Sequence, residues 1–404
     1  MAKRVLIFSL AYEPFMGGAE IAIREITSRI ATDDIEFHLI TYRFDSALPR
    51  VERIGNVTVH RIGFGKKHIS IGETFNISMY LGKILYVPLA ALRARQLQRT
   101  YTFTGYWAMM AYMTFPIVLL RFVGVRVPYV LTLQEGDPFE HVFKRWYIRA
   151  VSPLLLRGIR SATKVQAISS FLLAWALNAG FKREGTVIPN GVDTAHFARA
   201  FSPGEITEEK NRLHKAQDDI FLVTTSRLVH KNAVDDVIRA LPLLPHNVVF
   251  LIYGIGPDEQ KLRTLARELG VQERARFMGQ IAHAEMPRML AASDIFIRPS
   301  RSEGMGNSFI EAMAAGIPVI ATQEGGIADF LFDAARNPEK PTTGWAVDTD
   351  APDQIAAAVQ NILSTPEKVA EVTKTAQAMV LEKYDWNIIA KDMKNLFDGL
   401  DTTR

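Results

Sequence analysis

Residues 300–322 read Ser-Arg-Ser-Glu-Gly-Met-Gly-Asn-Ser-Phe-Ile-Glu-Ala-Met-Ala-Ala-Gly-Ile-Pro-Val-Ile-Ala-Thr. A β-rich run, Ile295 to Ile297, precedes the segment, and apolar residues recur through Phe309, Ile310, Met313 and Ala314. The pattern predicts a strand, a glycine-rich loop and a helix, with Asn307 or Ser308 as the N-cap. Glu303 then falls in the loop and Glu311 about one turn into the helix. The first amides of a helix have no partner within it, and Gly304 and Gly306 permit close approach, so the segment offers an anion site. Two carboxylates beside an anion would repel it. Their expected partners are therefore neutral hydroxyls, for which an ionised carboxylate is a strong acceptor. A ligand carrying both phosphates and hydroxyls is a nucleotide sugar; the plainer alternative is a strand-loop-helix whose acids are solvated.

Outward from this segment the chain alternates β-rich runs with helical stretches. Expected strands in the first half are Val5 to Ser9, Phe37 to Tyr42, Val57 to Ile62, Tyr101 to Trp107, Tyr129 to Leu133, Lys164 to Ile168 and Thr186 to Ile188. The pattern restarts at Phe221 to Thr225 and runs through Val248 to Tyr253, Arg276 to Met278, Ile295 to Ile297 and Val319 to Ala321. Repeated strand-helix alternation predicts an α/β protein of two doubly wound, parallel-sheet domains. Pro189-Asn190-Gly191-Val192-Asp193 has turn chemistry, and the polar stretch Ser202 to Asp219 reads as a connector followed by a helical piece. The expected domains are 1–190 and 191–383, with 384–404 as a closing helix. Ligands of open α/β sheets collect outside the carboxyl ends of the strands. Gly17-Gly18, Gln134-Glu135, Arg227 with Lys231, Gly254 to Gly256 and Glu303 all follow expected strands.

At 404 residues the chain is long for one core and suits two. It has no cysteine, which excludes disulfides and thiolate zinc sites and fits a reducing compartment. The stretch Thr100 to Leu120 is uncharged and long enough for a membrane span, but Thr100, Thr102, Thr104, Gly105 and Pro116 argue for a short strand and a buried helix. Charge is uneven. Residues 1–190 hold 24 Lys plus Arg against 13 Asp plus Glu, and the remainder 23 against 30. The basic residues gather in Lys83 to Arg99 and His141 to Arg160, interleaved with Leu, Tyr, Phe and Trp, as for a peripheral contact with an anionic membrane. Helices with one solvated basic face explain either cluster equally well. No nucleic-acid-binding module accompanies the charge. Asp348-Thr349-Asp350 precedes a helix expected at Pro352, where capping and solvation account for it, and the nine histidines form no close metal-ligand pair.

The segment around Glu303 and Glu311 resembles the signature of retaining glycosyltransferases of the GT-B fold, family 4 in particular, and the resemblance extends over nearly the whole chain. It implies two Rossmann-like domains facing a cleft, the first binding acceptor and the second the nucleotide sugar, and a closing helix that crosses back. By that resemblance Glu303 contacts hydroxyls of the donor sugar. Gly304, Met305, Gly306, Asn307 and Ser308 lie near sugar and diphosphate, and Glu311 holds the ribose. Arg227 and Lys231, in Thr-Ser-Arg-Leu-Val-His-Lys-Asn, match the family's diphosphate cations, the two charges that stabilise the departing group. Gly17 and Gly18 match its Gly-Gly-x-Glu loop, completed by Glu20. Tyr253-Gly254-Ile255-Gly256 matches its glycine turn, and the base is expected near Phe277 and Met278. The catalytic set is thus Glu303, Arg227 and Lys231, with no metal or other cofactor.

One position departs from the family. Where many members carry a His after the strand ending at Leu133, this chain has Gln134, which cannot serve as a general base. Glu135, Asp137 and His141 are then the candidates to orient an acceptor hydroxyl. The resemblance implies a hexosyltransferase using a UDP- or GDP-sugar and a glycan or lipid-linked acceptor in envelope or polysaccharide synthesis, cytoplasmic and at the inner membrane face. A GT-B-fold sugar-nucleotide epimerase and a non-catalytic nucleotide-sugar or glycan binding protein are the alternatives. A nicotinamide-dependent dehydrogenase is disfavoured, because no Gly-x-Gly-x-x-Gly follows the first strand.

Overall fold

Apolar β-branched runs become two separate sheets in the computed structural model, which describes residues 2–67, 77–136, 146–183 and 185–400, the side chains of 77–81 and 146–148 apart. The chain divides into one unit of Met1–Asn190 with Trp386–Arg404 and another of Gly191–Asp385.

In the first unit the strands are β1 (Lys3–Phe8), β2 (Ile35–Tyr42), β3 (Val51–Ile54), β4 (Val57–Ile62), β5 (Gly105–Met109), β6 (Tyr129–Leu133), β7 (Lys164–Ala167) and β8 (Gly185–Val187). They form one sheet in the order β3-β4-β2-β1-β5-β6-β7-β8. Every pair is parallel except β3 with β4. The rim strand β3 escapes the sequence reading because its four residues alternate between exposed and half-buried and offer no apolar run. The strand expected from Tyr101 runs instead from Gly105 to Met109, buried throughout. A turn at Ala111–Met113 and the helix Thr114–Phe122 complete the uncharged stretch. Among the described residues no helix is long and apolar enough to cross a membrane.

One face of this sheet presents Val5, Ile7, Phe37, Leu39, Val59 and Trp107 to Ala22, Ile23 and Ile26 of the helix Gly18–Ser28 and to Trp386, Ile389, Met393 and Phe397 of the closing helix Trp386–Asp398. The Phe397 ring sits 5.1 Å from Trp107 and 5.9 Å from Phe37. Fully burying an aromatic side chain contributes roughly 1.5–3 kcal/mol, which fixes the last helix against the start of the chain.

The second unit carries β9 (Ile220–Thr225), β10 (Val248–Tyr253), β11 (Ala275–Gly279), β12 (Ile295–Arg298), β13 (Val319–Ala321) and β14 (Trp345–Ala346) in the order β11-β10-β9-β12-β13-β14, all parallel. Leu222, Phe250, Ile252, Ile295, Ile297 and Ile320 pack with Val237 and Ile238 of the helix Val234–Ala240, Leu262 of Glu259–Glu268 and Ile355 and Val359 of Pro352–Ser364. The expected connector at Ser202 is already helical over Pro203–Arg212. Ser202 Oγ accepts the Glu205 amide at 3.3 Å while the Glu205 carboxylate accepts the Ser202 amide at 2.8 Å, a reciprocal cap that starts the helix there.

Strand order reverses between β1 and β5 in the first sheet and between β9 and β12 in the second. At such switch points the loops leaving the carboxyl ends diverge and open a crevice. The positions of Gly17 and Arg227 follow from that topology.

Candidate functional site

In the second unit the β9 loop and the β12 loop meet at the crevice. The Arg301 amide donates to the Lys231 carbonyl at 2.7 Å and ties one loop to the other. Arg227 is exposed, and its guanidinium makes no hydrogen bond among the described residues. Lys231 lies in a short turn, His230–Asn232, and the next helix begins only at Val234, after Ala233 in the left-handed region at φ 53°. The Asn232 side chain donates to the Arg227 carbonyl at 2.7 Å and holds the loop's curvature.

Glu303 lies in the β12 loop and is bound from behind by Arg298, the last residue of β12. Arg298 Nη2 donates to Glu303 Oε2 at 2.7 Å and Nη1 to Ser308 Oγ at 2.9 Å. Its guanidinium also lies 4.2 Å from the centre of the Phe309 ring. Burial lowers the Arg298 pKa, and the carboxylates of Glu303 and Glu311 oppose that. The other Glu303 oxygen accepts the Gly304 amide at 3.0 Å. The helix Asn307–Ala314 is capped by Gly306 at φ 86°, not by Asn307 or Ser308, because the Ser308 hydroxyl serves Arg298 instead. Within the loop, Gly304 and Met305 are buried. A second fixture is Gly325 at φ 62°, where a Cβ would stand 2.0 Å from the Glu303 carbonyl.

Glu311 points from the helix to His283, Oε1 to Nε2 at 3.2 Å. The His283 ring stacks on His196 at 6.0 Å and meets the Phe197 edge at 5.2 Å. Both acids, expected to face only hydroxyls, therefore have nitrogen partners on the protein. Phe277 lies under the Arg263 guanidinium at 4.3 Å, and Met278 is exposed. Gly254 and Gly256 serve the packing of two loops. A Cβ on Gly254 would stand 1.8 Å from the Ser226 carbonyl oxygen, and one on Gly256 2.2 Å from that of Leu228. Ser226 and Leu228 amides bond the Tyr253 and Ile255 carbonyls at 3.0 Å each, so the glycines set where Arg227 stands.

Arg301 escapes the sequence reading and anchors the region. It donates to both Asp235 oxygens at 2.9 and 3.0 Å, to Asp236 at 2.8 Å, to Asp350 at 2.6 and 2.8 Å and to the His230 carbonyl at 2.8 Å. Asp348 pairs with Arg336 at 2.9 Å. Asp348 and Asp350 are thus ion-paired, and the helix at Pro352 starts without a side-chain cap. Among the described residues no group of His, Cys, Asp or Glu is arranged to hold a metal.

At the crevice of the first unit, Gly17 caps the helix Gly18–Ser28 and its amide donates to Glu20 at 2.8 Å. Gly18 has open space where a Cβ would point. After β5, Met110 adopts φ 75°, ψ 155°, a region nearly confined to glycine that costs roughly 1–3 kcal/mol. The next amide, Ala111, donates to Glu135 Oε1 at 2.7 Å, and the Gln134 amide donates to Oε2 at 2.9 Å. Glu135 thereby staples the strained loop, and burial pushes its carboxyl up against the pull of those amides. Gln134 and Asn190 exchange amide bonds at 3.1 and 3.2 Å. Asp137 and His141 lie outside the described residues.

Comparison with known proteins bears on this arrangement. The family model described as Glycosyltransferase Family 4 matches residues 16–196, and that of Glycosyl transferases group 1 matches residues 205–379. A GDP-mannose-dependent alpha-(1-6)-phosphatidylinositol monomannoside mannosyltransferase of Mycobacterium tuberculosis is 29% identical over 64% of this chain and 68% of its own. Among solved structures, the sucrose-phosphate synthase of Thermosynechococcus elongatus superposes with a TM-score of 0.81 at 20% identity over all of both chains. Anabaena HepE in complex with UDP-glucose does so with a TM-score of 0.76 at 22% identity, over 98% of this chain and 99% of that one. With the two sheets and the Glu303 to Glu311 segment in place, the chain belongs to glycosyltransferase family 4 and is a glycosyltransferase of the GT-B fold.

Proposed function

We propose that the chain is a retaining, metal-independent hexosyltransferase that moves a sugar from a nucleoside diphosphate to a hydroxyl of a lipid-linked or glycan acceptor. The observation that carries this reading is the β9/β12 crevice, where the unbonded Arg227 guanidinium and the Lys231 loop stand on the same sheet edge as Glu303 and Glu311. In this reading Arg227 and Lys231 take the diphosphate, whose negative charge grows as the glycosidic bond breaks, so fixed cations replace a metal there. Glu303 accepts from sugar hydroxyls. Glu311 accepts from the ribose once His283 yields its place. The acceptor oxygen bonds to the anomeric carbon on the face the phosphate leaves, and its proton passes to the departing phosphate oxygen; no His is needed, consistent with Gln134.

The M. tuberculosis relative acts on a phosphatidylinositol mannoside, and a membrane acceptor suits this chain's first unit. Between Glu73 and Glu135 there is no acid but six Lys or Arg. Ile84, Leu85 and Leu92 are exposed on the helix Ile77–Leu97 beside exposed Arg95 and Arg99. Such a surface suits a peripheral contact on the cytoplasmic leaflet. Vesicles containing anionic lipid should sediment the protein in a salt-sensitive manner, and equal sedimentation with neutral vesicles counts against the contact.

The deciding experiment incubates the protein, chelator present, with GDP-mannose or UDP-glucose and lipid-linked acceptors. An α-linked product is expected from the α-linked donor; a β-linked product rejects retention, and chelator-sensitive turnover rejects metal independence. Arg227→Ala and Glu311→Ala should each weaken donor binding by about 1.5–3 kcal/mol, the range of a charged hydrogen bond. Unchanged affinity in both variants means the donor sits elsewhere.

A further inference from the structure

Arg298 is a cation inside a strand, only 6% exposed, where its neighbours Phe296 and Ile297 are wholly buried and apolar. Its Nε is buried with no hydrogen-bond partner. Burying a guanidinium is costly unless it is paired, and an apolar residue of similar size fills a strand end without that cost. Phe296, on the same side of β12, already supplies packing, its ring 5.6 Å from Phe309. Arg298 therefore adds a fixed charge behind Glu303. The turn is shaped around it, since a Cβ at Gly306 would stand 2.6 Å from Arg298 Nη2 and from two Phe309 ring atoms.

We propose that Arg298 is a positioning residue that holds Glu303 in one orientation, so that the carboxylate meets the donor-sugar hydroxyls already placed. This rests on the reading of Glu303 as the sugar-contacting acid. A glutamate in a glycine-rich loop is otherwise free to rotate about three side-chain bonds, and ordering it at the moment of binding weakens the complex. Here Arg298 holds Oε2 and the Gly304 amide holds Oε1, and each oxygen keeps a further lone pair for a hydroxyl. Ser308 buttresses the guanidinium from the other side.

The test is calorimetric titration of the full chain and its variants with GDP and GDP-mannose and with UDP and UDP-glucose, which separates the nucleotide from the sugar. Arg298→Met should lower nucleotide-sugar affinity about tenfold while leaving the matching nucleoside diphosphate within about twofold, and Arg298→Lys, which restores charge without the fork, should recover part of the loss. Ser308→Ala, which spares the ion pair and keeps the arginine, should show the same selectivity at about two- to threefold, and reads the proposal if Arg298→Met fails to fold. Equal losses for sugar and nucleoside diphosphate, or none, overturn it. Glu303→Gln distinguishes the two levels. Selective loss there with none in the Arg298 and Ser308 variants sinks the positioning role and leaves the acid's role standing. No sugar-dependent loss in Glu303→Gln sinks both.

Discussion

The two crevices have the same topological origin and opposite chemistry. At the second sheet's edge, Glu303 and Glu311 are partnered by Arg298 and His283, and the exposed Arg227 guanidinium, beside the Lys231 turn, has no hydrogen bond among the described residues. At the first sheet's edge, the hydrogen bonds to Glu20 and Glu135 come from backbone amides, and Gln134 and Asn190 neutralise each other's polarity. Burial raises both of those carboxyls, whereas the second edge invests in fixed positive charge. A strand-order reversal supplies a place; the residues leaving the strands decide whether it suits an anion or a neutral hydroxyl. That division matches the proposed separation of diphosphate and acceptor.

The largest effect is expected where the charged edge is anchored. Arg301→Met leaves Asp235, Asp236 and Asp350 facing one another, and breaking such a half-buried ion network should cost the second unit about 3–5 kcal/mol. Hydrogen exchange read by mass spectrometry should show the loss in residues 191–385 and leave β1 to β8 protected. Uniform loss across both units refutes the assignment of this network to one edge.

The amide-held acids of the first unit should reveal themselves through pH. A carboxyl whose folded pKa lies above its ordinary value of 4.5 favours the folded state while protonated. Its contribution is complete below that ordinary value and is lost as pH rises through the raised one. Wild-type stability should decline across that window, and Glu135→Gln should flatten the decline while Glu20 retains its share. Parallel curves of urea midpoint against pH for the two proteins would remove Glu135 from this role.

Smallest is the neutral pair. Gln134→Ala should cost about 1 kcal/mol, with nucleotide affinity unchanged, and a double-mutant cycle with Asn190→Ala should recover a coupling of similar size. Zero coupling would mean that the exchange of amide bonds contributes nothing to stability.

Long apolar runs made much of the fold legible. Val57 to Ile62, Tyr129 to Leu133, Val248 to Tyr253 and Val319 to Ala321 begin and end where their β-branched and aromatic residues do. Strands β3 and β14 were not legible, being a four-residue rim and a two-residue stub whose pairing comes from neighbours. The loop position of Glu303 and the helical position of Glu311 were readable from glycine and periodicity. Their partners were not, because Arg298 sits inside an apolar strand pattern and His283 is 28 residues from Glu311. Ser308 has the chemistry of a cap, yet a tertiary demand from Arg298 overrides that local preference. Asp350 looked like helix punctuation for the same reason, its guanidinium partner lying 49 residues earlier in the chain.

The glycines at 254 and 256 carry a lesson for anyone retuning this scaffold to a different nucleotide. Because each sits where a methyl group would collide with a carbonyl of the neighbouring turn, residues 226–228 and 254–256 behave as one mechanical part. A chimera must import both turns together; swapping either alone shifts the arginine between them off its mark, however well the new sequence matches the desired ligand.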